Sequence, residues 1–281
     1  MPPEYHLTAY LRNVFDDSGH NPLKQGMEQA ASDFQTEIFF TGFEAKASLI
    51  EKQELLRQEV KNGSTGMILE PSSEEVLEGI IGETPLVLVN NPFLQLPVIT
   101  ADNKKLGERL GEEIQRENKE KRAVLIVHPM TLYEEEEENR VGLIQVLKQE
   151  RMTYDQLRVE EMAFESQLMT QIQQNDYFAI VCLGREVGEV VGKWKKNQAT
   201  LASMQLYGFG FSNLLLNLVD QEIFQGLGVS NQFAVGYAAV SQLIAQIEGE
   251  VPRIPSIASL VVTKENLFDP DNQKLLFPLI Q

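Results

Sequence analysis

The 281-residue chain has little cysteine, histidine or positive charge, and each shortage excludes a class of function. Its single cysteine, Cys182, permits no intrachain disulfide, and its place in the apolar run Phe178–Leu183 predicts a buried, unreactive thiol. Three scattered histidines form no His-Glu-x-x-His motif, so nothing indicates metal catalysis. With 24 basic against 41 acidic residues, the net charge of -17 argues against nucleic-acid binding, which needs clustered Lys and Arg.

Long hydrophobic runs and common catalytic motifs are also missing. No stretch approaches the roughly 18 apolar residues of a membrane-spanning helix. The chain contains neither the Gly-x-Ser-x-Gly nucleophile motif nor the Gly-x-x-x-x-Gly-Lys-Ser/Thr phosphate loop. The pair Gly208 and Gly210 lacks the third glycine of a dinucleotide-binding fingerprint. We therefore expect a protein that is not an enzyme and that has no cofactor and no metal.

The chain does contain a regular alternation of short apolar runs and amphipathic stretches from Tyr5 almost to Gln281. This alternation predicts an α/β fold with parallel strands and crossover helices, because parallel neighbours need a long return connection. In open sheets of this kind the ligand lies beyond the carboxyl ends of the strands. The predicted strands are Tyr5–Leu11, Thr36–Phe40, Gly66–Leu69, Leu86–Val89, Ala123–Val127, Leu157–Met162, Phe178–Leu183, Met204–Gly208 and Ser259–Val262.

Helices are predicted between these strands. They begin at Asn21 or Pro22 and after Glu70–Ser73, and the others are Lys46–Val60, Lys104–Glu117, Arg140–Lys148, Glu165–Gln173, Val187–Lys195, Asn213–Val219 and Phe233–Ile247. The run Glu134–Glu138 lacks the ligand spacing of a calcium loop, so we expect a solvated, repulsive loop there.

The segment Pro97–Asn103 interrupts the alternation, and the strand-helix series then starts again. Two series of similar content predict two lobes of one architecture. The late helix Phe233–Ile247 and strand Ser259–Val262 are surplus to the second series and could return to the first lobe.

Several segments, in this order and spacing, resemble the type I periplasmic-binding-protein superfamily. That superfamily includes sugar-binding receptors of ABC transporters and the effector domains of LacI and GalR repressors. The segments are Gly26–Ala31 (GMEQAA), Gly66–Pro71 (GMILEP), Thr100–Asn103 (TADN) with Gly107, Leu206–Gly210 (LYGFG), Gly236–Val240 (GYAAV), Val262–Leu267 (VTKENL) and Leu275–Pro278 (LLFP).

The resemblance implies two doubly wound, Rossmann-like parallel-sheet lobes joined by a three-segment hinge. The implied N-terminal lobe is 1–102 plus 231–259, and the implied C-terminal lobe is 103–230 plus 260–281. A small ligand would be held in the cleft between the lobes, and the lobes would close on it.

The resemblance also implies where the ligand contacts lie, since members of the superfamily bind through strand-end loops. The corresponding residues are Arg12, Asn13, Phe15, Asp16, Phe43, Glu70, Asn90, Asn91, Arg140, Phe164, Arg185, Phe209, Phe211 and Ser230. Phenylalanines would contact the apolar face of the ligand, and Glu70 and Asp16 would supply polar anchors. Alternatively, these phenylalanines simply pack, and Glu70 is a helix N-terminal carboxylate.

Several sugar-binding side chains of the superfamily are missing from this chain. Gly210 stands where those members commonly carry Asp, Gly184 where they carry Asn, and Ser230 where they carry Gln. Asn139 takes the place of an Arg, and Arg140 follows it. Either the ligand differs, being larger or less hydroxylated, or the loop alignment slips by a residue.

The leading functional expectation is a solute-binding receptor that closes on a sugar or sugar-like molecule, for ABC-type uptake or signalling. Its partners would be a membrane permease or a sensor kinase. The alternative is the ligand-sensing effector domain of a LacI/GalR-type regulator without its DNA-binding headpiece. We expect an extracytoplasmic protein of the cell envelope whose export leader is absent from this sequence, with a cytoplasmic location as the alternative.

Overall fold

A computed structural model describes residues 5–12, 14, 21–44, 46–251 and 253–278 of the chain. The strands, in chain order, are β1 (His6–Tyr10), β2 (Glu37–Thr41), β3 (Gly66–Leu69), β4 (Leu86–Val89), β5 (Val98–Ile99), β6 (Ala123–Pro129), β7 (Tyr154–Val159), β8 (Tyr177–Cys182), β9 (Gln205–Phe209), β10 (Gly226–Val229) and β11 (Leu260–Val262). The helices are α1 (Pro22–Asp33), α2 (Leu49–Lys61), α3 (Asn103–Glu117), α4 (Glu134–Gln149), α5 (Phe164–Gln174), α6 (Arg185–Asn197), α7 (Asn213–Asp220), α8 (Gln232–Ile247) and α9 (Pro270–Leu276).

The chain divides into two units. Unit 1 comprises Met1–Ala101 and Asn231–Ile257, and unit 2 comprises Asp102–Ser230 and Ala258–Gln281. Each unit has α/β architecture with a parallel-sheet core, as the alternation of the sequence predicts.

Unit 1 is built on a fully parallel sheet. In the described part of the unit its five strands lie in the order β2-β1-β3-β4-β5. One core cluster includes Met27 of α1 and Leu243 of α8, and a second includes Leu56 of α2. The carboxyl ends of β1, β3 and β4 therefore share one edge of the sheet, and the residues that follow them meet there.

Unit 2 has a mostly parallel sheet. In its described part six strands lie in the order β11-β10-β9-β8-β6-β7, and only the β10–β11 pair is antiparallel. The suggestion that strand Ser259–Val262 returns to the first lobe is wrong, because β11 pairs with β10. The late helix α8 does lie in unit 1.

Strand β10 has no counterpart among the predicted strands. Its sequence, GLGV, has two glycines and therefore a weak strand signal. A Cβ on Gly228 would lie 2.5 Å from the Phe209 ring, and one on Gly226 would lie 3.1 Å from the Tyr207 ring. The glycines are needed because aromatic rings of β9 cover the neighbouring strand.

Two further local predictions are wrong. The run Glu134–Glu138 is not a loop but the first turns of α4, where carboxylates are favoured by the positive end of the helix dipole. Glu136 also accepts a hydrogen bond from the backbone N–H of Tyr133 at 2.9 Å, which caps the helix. After Glu70 there is only a short 3-10 turn, Glu74–Leu77, instead of a full helix.

In each unit, one pair of helices packs with its backbones in direct contact. A Cβ on Gly26 of α1 would lie 2.0 Å from the Phe233 carbonyl oxygen, and one on Gly236 of α8 would lie 2.0 Å from the Leu23 carbonyl oxygen. In unit 2, Cβ atoms on Gly107 of α3 and Gly142 of α4 would lie 2.1 and 1.9 Å from carbonyl oxygens of the facing helix, at Asn139 and Lys104. No side chain fits at these four positions.

Cys182 is completely buried, as its apolar setting predicts, and burial raises the pKa of its thiol. Within the described ranges no helix combines the length and apolar character needed to cross a membrane.

Replacing Gly236 by Ala should destabilise unit 1, because the added methyl forces α8 away from α1. We expect the free energy of unfolding to fall by about 1–3 kcal/mol, measured by urea titration. Gly188→Ala in α6 is the matched control, since its Cβ would meet side chains and no backbone: the end of Leu215 at 3.2 Å, Phe224 at 3.7 Å and Cys182 at 3.9 Å. Removing a helical glycine favours the helix by about 1 kcal/mol, so the control should be neutral or stabilising. Equal losses in both variants would contradict the close-contact argument.

Candidate functional site

At the carboxyl edge of the unit 1 sheet, two polar residues converge on the buried carboxylate of a third. Glu70, directly after β3, has a side chain that is only 6% exposed. Its Oε2 accepts a hydrogen bond from the backbone N–H of Arg12 at 2.8 Å, and its Oε1 accepts one from Nη2 of Arg12 at 2.8 Å. The same Oε1 also accepts a hydrogen bond at 2.8 Å from Nδ2 of Asn90, the residue directly after β4. Arg12, Glu70 and Asn90, all predicted contact residues, are thus brought together by the ends of three strands.

Asn90 is the most constrained member of this group. It is 2% exposed, and its backbone has a φ of 63°, a left-handed conformation that asparagine tolerates better than most residues. Its Nδ2 donates to Glu70 and also to Oε1 of Gln232 at 2.9 Å. No group among the described residues donates to its Oδ1, which is fully buried.

Gln232 is a site residue that the sequence analysis does not identify. It is the first residue of α8 and lies directly after the passage of the chain from unit 2 to unit 1. The resemblance puts a glutamine of related proteins at Ser230, two residues earlier. A glutamine is therefore present two residues after that position. A one-residue slip of the alignment, the alternative considered for the sequence, leads to Asn231 and would not have located it.

Asn91 and Phe43, the other predicted residues of unit 1 that are described, have structural partners. Asn91 is 3% exposed, donates from Nδ2 to the Pro71 carbonyl at 3.0 Å, and accepts the Phe93 N–H at 3.2 Å. The Phe43 ring stacks on Tyr10 with ring centroids 4.9 Å apart. The predicted contacts Asn13, Phe15 and Asp16 lie outside the described residues.

In unit 2, most predicted contact residues are engaged in packing or local hydrogen bonds. Phe164 is 9% exposed, and its ring centroid lies 5.3 Å from that of Trp194. Phe209 is 2% exposed and packs over Gly228. Phe211 is half-buried, and its ring packs edge-on with that of Phe277, with ring centroids 6.3 Å apart. These phenylalanines pack within their own unit.

Arg140 is held on its own helix. Its Nε donates to Glu137 Oε2 at 2.7 Å, and its Nη1 donates to Gln156 of β7 at 2.8 Å. The hydrogen bond from Arg140 lowers the pKa of Glu137. This guanidinium therefore links α4 to the edge strand.

The strand ends of unit 2 meet the first turn of α6. Gly184 has a φ of 90° and ψ of 147°, a conformation open essentially to glycine, and a Cβ there would lie 2.7 Å from Oε1 of Glu136. Gly210 has a φ of 130°, and its Cβ would lie 2.9 Å from the Cα of Arg185. Partly exposed polar side chains here include Arg185, Glu136 and Ser230, and Glu136 is another residue that was not predicted from the sequence.

His128 lies near the carboxyl end of β6 and is 5% exposed. Burial lowers its pKa below the ordinary value of 6.5, and the charges of Arg158 and Arg140 add to that effect. Its Nδ1 lies 2.8 Å from the Pro129 carbonyl, a hydrogen bond that acts in the opposite direction. The imidazole is therefore stabilised in its neutral form.

Within the described ranges, no group of three or more His, Cys, Asp or Glu side chains could hold a metal ion. The site chemistry consists of amides, carboxylates and guanidinium groups, which recognise a ligand by hydrogen bonds.

Comparison with protein families assigns the chain. The model of the periplasmic binding protein domain matches residues 9–250, which is most of the sequence. The chain belongs to this family. No curated protein sequence matches it at a significant level.

Solved structures of similar fold cover nearly the whole chain. A solute-binding protein of an ABC transporter from Agrobacterium vitis, bound with α-D-tagatopyranose, has a TM-score of 0.80 at 14% identity, covering 97% of this chain and 99% of that one. A carbohydrate transporter solute-binding protein from Agrobacterium radiobacter, in complex with D-arabinose, has a TM-score of 0.80 at 17% identity with the same coverage. A Bacteroides fragilis protein classed as a LacI transcriptional regulator has a TM-score of 0.76 at 13% identity, covering 94% and 98%. At these identities the likeness shows the fold.

Replacing Arg12 by Ala should destabilise unit 1, because it leaves the buried Glu70 carboxylate without its positive partner. The loss should be about 3 kcal/mol by urea unfolding. Arg57→Ala is the control, since the Arg57–Glu54 pair is 3.5 Å long and both side chains are more than a third exposed. That variant should lose no more than about 0.5 kcal/mol. If Arg12→Ala lowers the free energy of unfolding no more than Arg57→Ala does, the Arg12–Glu70 pair does not behave as a buried ion pair.

The burial of His128 should make unit 2 less stable in acid. Because the native pKa is lowered, the unfolded chain binds the proton more readily, and stability falls as the pH drops below about 6.5. His128→Gln removes this titration. The difference in free energy of unfolding between pH 7.5 and pH 5.5 should therefore be smaller in the variant than in the parent protein. An unchanged or larger difference would refute the neutral, buried imidazole.

Proposed function

We propose that the protein is a solute-binding receptor for a small neutral carbohydrate or a close analogue, and that it is not an enzyme. The observation that supports this most is the group Arg12, Glu70, Asn90 and Gln232, assembled at the strand ends of unit 1 in a chain of the periplasmic binding protein family. Amide and carboxylate oxygens at such a position suit the hydroxyl groups of a sugar. The solved relatives bound to D-arabinose and tagatose support the same ligand class.

The strand-end residues of unit 2 would supply the remaining contacts. Arg185, Glu136 and Ser230 are among its partly exposed polar groups, and the resemblance implies that both units contact one ligand. A ligand that binds both units favours their closed arrangement by its differential affinity, and a partner protein then reads that arrangement.

The partner that fits best is a membrane permease or a sensor kinase, and the location is the cell envelope. The periplasmic binding protein family supports the location, and the solved relatives that are solute-binding proteins of transporters support the permease. A repressor effector domain is the competing role, and oligomeric state separates the two. Sedimentation equilibrium with and without sugar should give a monomer for an uptake receptor, whereas a stable dimer would favour the regulator.

Calorimetric titration against neutral monosaccharides, including D-arabinose and D-tagatose, tests the ligand class. Asn90→Ala should weaken binding about tenfold to a hundredfold, because a buried hydrogen-bonding group is lost. Asn62→Ala is the matched control, since Asn62 is exposed after α2, at the opposite edge of the same sheet. The control should bind as the parent does. Binding by none of the sugars, or equal affinity in both variants, would refute the proposal.

A further inference from the structure

Glu70 differs from its neighbours because its carboxylate is already occupied. It accepts hydrogen bonds from the Arg12 backbone, the Arg12 guanidinium and the Asn90 amide, and it is only 6% exposed. Two oxygens offer about four lone-pair sites, and three are used within the described part of unit 1. A ligand hydroxyl would find little of this carboxylate left to bind.

The Asn90 carboxamide, in contrast, has one defined orientation with one unused atom. Both hydrogens of Nδ2 are taken, by Glu70 at 2.8 Å and by Gln232 at 2.9 Å. Oδ1 is buried and accepts nothing from the described residues. A buried acceptor without a donor costs about 1–3 kcal/mol, so this atom is a natural position for a donor supplied from outside the chain.

Glu70 holds the amide in this orientation for a reason of elementary chemistry. A carboxylate has no hydrogen to donate, and a reversed Asn90 would set oxygen against oxygen at 2.8 Å. The carboxylate therefore determines which atom of Asn90 remains available.

We propose that Glu70 is a positioning residue that orients the Asn90 carboxamide so that its Oδ1 accepts a hydrogen bond from a hydroxyl group of the ligand. This inference rests on the proposed function for the identity of the ligand. It removes Glu70 from the residues that touch the ligand and assigns it a role in specificity. The site in unit 1 then selects a ligand that donates at this point and disfavours a carboxylate or phosphate there.

Three variants test this role: E70Q, N90D and the double variant E70Q/N90D. In E70Q the new amide can donate, so the Asn90 carboxamide can reverse and turn its hydrogens towards the ligand. The affinity for D-arabinose or D-tagatose, measured by calorimetry, should fall tenfold or more. In E70Q/N90D the carboxylate and the amide change places, an acceptor again faces the ligand, and affinity should return to within about threefold of the parent.

N90D alone brings two carboxylates within hydrogen-bonding distance, so one of them must take up a proton. Its affinity should therefore rise as the pH falls from 8 to 5.5, while the affinity of the double variant should not. This difference in the pH dependence of affinity tests the contact between residues 70 and 90 even if E70Q folds poorly. Loss of affinity in E70Q with no recovery in the double variant, or an unchanged affinity in E70Q, would overturn the proposal.

A measurement without ligand separates this proposal from the proposed function. In ¹⁵N-labelled protein, the side-chain NH₂ signal of Asn90, assigned by its absence in N90D, should exchange slowly with solvent. Exchange should be faster in E70Q, and Asn62 supplies an exposed amide for reference. Slow exchange with no binding of any sugar would refute the sugar ligand and leave the orientation of Asn90 intact. Fast exchange in the parent protein would refute the orientation itself.

Discussion

The contact of two helix backbones, made once in each unit, is the constraint on which the strand-end groups depend. Gly26 and Gly236 allow α1 and α8 to touch, and Gly107 and Gly142 do the same for α3 and α4. α3 and α8 are the helices that directly follow a passage of the chain from one unit to the other. Since any Cβ at these glycines would push the helices apart, the close contact determines where each helix begins relative to the strand ends of its unit.

The two contacts belong to a repeated pattern that reaches the candidate site. Asp102 caps α3 with φ −78° and ψ 75°, and Asn231 caps α8 with φ −80° and ψ 70°. In each case the capping side chain accepts a hydrogen bond from the backbone N–H three residues later. The glycine that contacts the facing helix, Gly107 or Gly236, lies five residues after the cap. Gln232 follows Asn231, the cap of α8, and therefore lies where its side chain can accept a hydrogen bond from Nδ2 of Asn90. The geometry of α8 thus contributes directly to the polar group around Glu70.

Sequence periodicity predicts most of the fold because burial on both faces of a parallel strand leaves an apolar run that is easy to recognise. It fails where another force decides the structure. Strand β10 is missed because its glycines make room for aromatic rings of β9, and Glu134–Glu138 is wrongly predicted as a loop because helix-end electrostatics outweigh repulsion. The Arg12–Glu70–Asn90 group follows from the strand-end rule, whereas Gln232 does not, because its position depends on how α8 packs.

The glycines at the strand ends of unit 2 explain why side chains expected from the resemblance are missing. Gly184 and Gly210 both have backbone conformations that disfavour side chains, and a Cβ on either would collide with Glu136 or Arg185. The close approach of α6 to the sheet therefore excludes an amide or carboxylate at these two strand ends. Beside Ser230, helices supply polar groups at this edge, because the first turns of α4 and α6 carry the Glu136 carboxylate and the Arg185 guanidinium. The polar groups that unit 2 presents at this edge therefore differ in charge and in reach from the strand-end amide and carboxylate that the resemblance implies, and the packing of α6 is the physical reason.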